Sequence, residues 1–195
     1  MSVKVHLDLK NLLRIKKSVA GIKDPKVKIG IEEGATYESG TKISDVAAYL
    51  EYGWTQKVSN EKSGWFTSQG VYVPPGSTLT SPPRPFFELT REQNRNKWVK
   101  LGKHALKGYT KVNPKTAAKQ ALALVGQVAQ QDLQDMVQDG GSNFEQRSEL
   151  TMRLYTAQLE GHKTDGTPNN MQTRKPLNKV GHLASAIVYE IEGLE

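Results

Sequence analysis

The chain has no cysteine among its 195 residues. That absence excludes disulfide staples, thiolate zinc sites and cysteine nucleophiles, and it is compatible with a reducing compartment. Long hydrophobic runs are missing too: nothing approaches the ~20 apolar residues that span a bilayer. The opening residues, Met1-Ser2-Val3-Lys4-Val5-His6-Leu7-Asp8, alternate apolar and polar without the apolar centre of a secretory signal. The expectation is a protein made and folded in the cytoplasm. The four histidines, His6, His104, His162 and His182, include no pair at helical spacing, so no metal site is expected. Glu160, His162 and Asp165 fall close together, but their Gly-rich polar surroundings read as solvated surface. Ser185 lacks the Gly-x-Ser-x-Gly elbow of a hydrolase nucleophile, and the chain has neither a Walker sequence nor a Gly-x-Gly phosphate loop. These residues suggest no enzyme and no cofactor.

Charge of one sign is not lacking. Lysine and arginine number 27 against 20 acidic residues, a net charge of +7. Such an excess can draw a chain to nucleic acid by releasing counterions from phosphate. Along the sequence, however, the basic residues are spread and interspersed with acidic ones, and Lys16-Lys17 and Arg174-Lys175 are the adjacent pairs. A nucleic-acid face concentrates its charge, so composition alone does not point to DNA recognition.

The length fits a single domain, residues 1–195, that can bury a core without staples. Val3 to Leu7 alternates as a strand, and Leu9, Leu12, Leu13, Lys16 and Val19-Ala20 shift to helical spacing. Val27, Ile29 and Ile31 alternate with Lys26, Lys28 and Gly30, the pattern of a strand with one buried face. Ile43, Val46, Ala47 and Leu50 make one stripe of a short helix that Gly53 stops. From Trp54 to Ser81 periodicity fails, yet the stretch holds Trp54, Trp65, Phe66 and Tyr72. It is too long for an ordinary loop and too aromatic for disorder, so it reads as an ordered arm with a hairpin at its end.

Pro82-Pro83-Arg84-Pro85-Phe86-Phe87 follows. Each proline fixes φ and pushes the preceding residue out of the helical region, so a helix can begin only after Arg84. That helix is expected from about Pro85 to Lys107, with Phe87, Thr90, Asn94, Trp98, Leu101 and Ala105 on one side. Asn113-Pro114 starts the best helix of the chain, because asparagine caps well and proline suits the first helical position. Its apolar face runs through Ala118, Ala121, Leu122, Val125, Val128, Ala129, Leu133, Met136 and Val137 as far as Gly140. At 1.5 Å per residue it is about 40 Å long, a spine for a sheet. The stretch from Asn143 to Thr173 reads as a short helix and a mobile loop. The chain closes with a helical turn near Leu183 and a last strand through Val188 and Ile191. The expected fold class is α+β: a small, mainly antiparallel sheet packed by a long helix, with an extended loop or hairpin excursion.

Three blocks in this order resemble a known family. They are Val27 to Gly34; Val46-Ala47-Ala48-Tyr49-Leu50-Glu51-Tyr52-Gly53 with Pro82-Pro83-Arg84-Pro85-Phe86; and Pro176-Leu177 to Tyr189. They look like the tail-completion, or neck, proteins of long-tailed double-stranded DNA bacteriophages, a group also labelled tail components or virion morphogenesis proteins. In that family a "hydrophobic, Glu, aromatic, Gly" helix end precedes a "Pro-x-Arg-Pro-Phe" step. Two departures stand out: Asn178-Lys179-Val180 lies where the family carries Asp or Ser/Thr before its glycine, and the excursion from Trp54 to Ser81 is longer than in minimal members.

The resemblance implies a structural virion protein, assembled in the host cytoplasm into a self-associated ring of six copies between head connector and tail. It would join the two, help seal the channel through which genomic DNA passes without sequence recognition, and touch no membrane. Its neighbours would be the head-completion or connector protein and the tail tube or tail terminator. The alternatives are a tail terminator capping the tube and a basic DNA-binding accessory protein. The interface candidates are Trp54, Trp65, Phe66, Tyr72, Arg84, Phe86 and Phe87. Arg84 reads equally as an interfacial or an intramolecular group. Phe86 and Phe87, at a helix start, read first as core.

Overall fold

A computed structural model describes residues 25–108, 113–139, 143–154, 177 and 182–193. The expected strand over Val3 to Leu7, the helix after it and the loop before Thr173 lie outside the described residues. In chain order the elements are β1 (Lys26–Ile31), α1 (Ile43–Tyr52), β2 (Trp54–Lys57), α2 (Asn60–Ser68), β3 (Thr78–Ser81), α3 (Phe86–Gly108), α4 (Pro114–Gln138), α5 (His182–Ser185) and β4 (Ile187–Glu192). Residues 149–154 are also helical. Where the sequence reads as one domain, the chain divides into two compact units. The first gathers Met1–Gly30, Gln93–Gln131 and Val188–Glu195; the second gathers Ile31–Glu92 and Asp132–Ile187.

The first unit holds most of the β1–β4 sheet and the segment of α4 that packs on it. Alternation in β1 leaves Lys26 and Lys28 exposed while Val27 and Ile29 are half-buried. At the far end of the ladder the Glu32 amide donates to the Ala186 carbonyl at 2.8 Å, so the end of β1 meets the start of β4 and the strands run antiparallel. Lys28 Nζ donates to Glu192 Oε1 across the pair at 2.5 Å. The hydrogen bond from Lys28 holds the Glu192 carboxyl below its ordinary range, and the same bond raises the Lys28 ammonium. Lys28 is exposed and Glu192 partly so, and solvent screening leaves this pair contributing little to stability.

Asn113 caps α4 as its sequence predicts: its side-chain oxygen accepts the Lys115 amide at 2.9 Å, satisfying a donor the helix cannot. Gly126 lets α4 approach β4. A methyl group there would drive into the Tyr189 ring. The fold is thus α+β, with a small antiparallel sheet packed by a long helix. Gly102 of α3 faces Val125 of α4, where a methyl group would lie 3.3 Å from the valine.

In the second unit α1 packs against α5. Ile43 and Ala47 of the expected stripe are buried, and so are Leu183 and Ala184 of the closing turn. Leu177 and Ile187 are buried as well, Ile187 completely. Gln134 Nε2 donates to the Ala184 carbonyl at 3.2 Å and ties α4 to that turn. Leu133 and Val137, on the predicted apolar face, are buried beside it in the chain.

Candidate assembly interface

Two sequence blocks separated by the arm are locked together in the second unit. Helix α3 begins at Phe86, directly after the prolines, and its first intrahelical bond runs from the Leu89 amide to the Pro85 carbonyl at 2.9 Å. Proline therefore occupies the capping position and has no side-chain acceptor to offer. Glu51, on α1, supplies it. Its two carboxylate oxygens accept the Phe87 amide at 3.0 Å and the Glu88 amide at 3.2 Å. A negative group at a helix N-terminus is favoured both by these charge-assisted bonds and by the helix dipole. One residue earlier, the Leu50 carbonyl accepts the Arg84 amide at 2.7 Å.

Gly53 completes the lock. Its backbone sits at φ 69° and ψ 176°, a region open essentially to glycine alone. A β-carbon there would lie 2.7 Å from the Ser81 carbonyl oxygen and 2.8 Å from the Pro83 nitrogen, both backbone atoms. The "hydrophobic, Glu, aromatic, Gly" step and the Pro-Arg-Pro-Phe step are thus two halves of one joint.

Of the interface candidates, two move into the interior. Phe86 is completely buried and touches Phe87 with ring centroids 4.8 Å apart. Thr90, also buried, back-bonds to the Phe86 carbonyl at 2.7 Å. Arg84 is 6% exposed. Its Nη1 donates to Ser81 Oγ at 3.0 Å and its Nε to the Glu145 carbonyl at 3.3 Å, so its guanidinium organises its own chain. Phe86 is thus the core residue its place at a helix start suggests, and of the two readings of Arg84 the intramolecular one describes these bonds. Phe87 is half-buried.

The arm is built differently from the hairpin-ended excursion its sequence suggests. Strands β2 and β3 pair antiparallel at its base, in the register Trp54↔Ser81 to Lys57↔Thr78. Beyond them stands helix α2, capped by Ser59, whose hydroxyl accepts the Lys62 amide at 3.2 Å. The Val71-Tyr72-Val73 stretch is not a strand. It folds back so that the Val73 carbonyl accepts the buried Ser63 hydroxyl at 2.7 Å. Val58 and Val73 are both buried, which gives the arm a small core of its own.

The remaining candidates stay at the surface. Trp54 is 39% exposed, Trp65 48% and Tyr72 70%. Phe66 is half-buried against Trp65, edge to face at 5.1 Å. Two further exposed aromatics were missed in the sequence: Tyr49 at 57% and Tyr52 at 79%. They are three residues apart on α1 and therefore share a face. The signal was present, since neither belongs to the apolar stripe through Ile43, Val46, Ala47 and Leu50.

Charge also differs between the two units. Among the described residues, the first unit has nine lysines and arginines against two acidic residues; the second has seven against thirteen. From Gln93 to Gln131 there is no aspartate or glutamate. Most of the first unit's described cations lie in this one run, and the fold adds Lys26 and Lys28 of β1 to it.

Among the described residues no group of three His, Cys, Asp or Glu side chains could hold a metal ion, and no helix is long and apolar enough to cross a membrane. Ser185 donates to the His182 carbonyl at 3.0 Å, a local turn bond. Comparison with protein-family models, curated proteins and solved structures returns no match for this chain.

Proposed function

We propose that this chain is a structural subunit of a phage neck, assembling as a ring that joins the tail to the head connector and helps seal the DNA passage, without turnover or cofactor. The carrying observation is the arm: it has its own buried core, yet it leaves Trp65 and Tyr72 exposed, beside Trp54 at its base. Large aromatics held rigid at a surface are the residues that dominate protein interfaces. A pre-ordered arm loses little entropy when it docks. The joint of Glu51, Gly53 and Arg84 supports the same reading, because the two sequence steps that resemble those of neck proteins form one contact here.

The test is complementation with an armless chain. In the virus that encodes it, replacing residues 59–76 with Asn-Gly should give full heads and tails of normal length that fail to join. Normal joining would refute the proposal. Overlong tails, seen by electron microscopy, would instead support the tail-terminator reading.

A further inference from the structure

We infer that the outer face of α3 between Lys97 and Lys107 is a binding surface for the phosphate backbone of duplex DNA, read without regard to sequence. The inference rests on the neck reading for why DNA is at hand, and on charge and geometry for the binding. Lys97, Lys100, His104 and Lys107 fall at i, i+3, i+7 and i+10, which places them in one row along the helix. All four are exposed, as is Lys103 beside them. Lys97, Lys100 and His104 line an open groove of about 640 Å³ together with Leu101 of α3 and Val128 of α4. The opposite side of α3 is occupied: Ala105 is buried, Trp98 is half-buried, and Gly102 approaches Val125. The row therefore faces solvent.

Polyanion chemistry explains this row better than a protein partner does. No carboxylate interrupts α3 from Gln93 onward or α4 before Asp132. A protein interface mixes signs around buried anchors, and the aromatic anchors of this chain lie in the other unit. The row is about 15 Å long at 1.5 Å per residue. One strand of B-DNA presents a phosphate about every 3.4 Å, so the row matches several consecutive charges. Val99 and Leu106, both exposed, lie to one side of it.

The experiment is fluorescence anisotropy of the purified full chain with labelled 30-base-pair duplexes of two unrelated sequences, over a range of salt. The wild type should bind both duplexes equally and weaken steeply with salt. Lys100→Glu, Lys103→Glu and Lys107→Glu together should flatten the slope of log K against log salt by about 3, since each phosphate contact contributes about 0.9. A control with the same charge change in the second unit, Lys42→Glu, Lys62→Glu and Arg153→Glu, should leave the slope as it was. Thermal melts of both triple variants should match the wild type, because every altered side chain is at least partly exposed.

Absence of duplex binding at low salt would overturn the inference. So would an equal effect of the two triple variants, which would mean net charge rather than this face. A first triple variant that binds DNA normally but loses self-association, or loses binding to phosphatidylserine vesicles, would assign the row to another partner and overturn it as well. A chain that joins heads to tails yet ignores duplex DNA would lose this inference alone and keep the neck reading.

Discussion

Glu51 and Phe86 show how far single residues determine this joint. Glu51 would pass in the sequence for a solvent-facing acid at the end of a short helix, yet both of its oxygens cap α3. Removing that cap with Glu51→Ala should destabilise the chain by about 0.5–2 kcal/mol, at the scale of lost N-caps, in urea melts. Gly53→Ala should cost about 1–3 kcal/mol or more, because a strained φ is compounded by contact with two backbone atoms. A melting curve unchanged by either substitution would mean the joint is not formed. Phe86→Ala should cost about 3–5 kcal/mol as a deletion in a filled interior. Tyr72→Ala, at an exposed position, should stay within about 0.5 kcal/mol and register only in joining. Phe86 as core was legible, since an aromatic at a helix start packs inward. The Glu51 cap was not, because its two donors lie 36 and 37 residues along the chain and no local pattern links them.

The long elements were readable where their signals are local. Asn113-Pro114 announces α4, the proline run delays α3 to Phe86, and the Val27, Ile29, Ile31 alternation marks β1. Helix α2 was not readable, because Asn60–Ser68 carries no apolar periodicity and is held by Ser59 and by Ser63 reaching Val73. The same architecture makes the arm separable. The Val58 amide donates to the Ser77 carbonyl at 2.9 Å, continuing the ladder in a hydrogen-bonded pair, so an Asn-Gly turn between Val58 and Ser77 forms a two-residue hairpin. The armless chain should therefore keep its circular dichroism per residue in the remaining elements and its cooperative melt. Loss of the cooperative transition would show that the arm is part of the fold and not an appendage. Within the first unit, Gly126→Ala should cost about 1–3 kcal/mol by overpacking against Tyr189, measured in the same melts.

Among the described residues, surface character differs between the units: the second has exposed aromatics and an acidic excess, the first a basic excess. The acid-free run from Gln93 to Gln131 was legible in residue order; the segments that join it were not, because each unit is assembled from separated stretches of chain. The row on α3 was nonetheless within reach of helical spacing, once its lysines are placed on a wheel rather than read as neighbours. A ring subunit needs a surface for its fellows and adjoining rings, and a neck subunit meets DNA besides. The division of surfaces fits that pair of tasks. The most direct test is a cryo-electron microscopy reconstruction of the neck of the mature particle. The account predicts a ring of copies of this chain between the head connector and the upper end of the tail, with Trp65 and Tyr72 at subunit or ring contacts. A neck fully built from other proteins, with this chain absent from the particle, would contradict it.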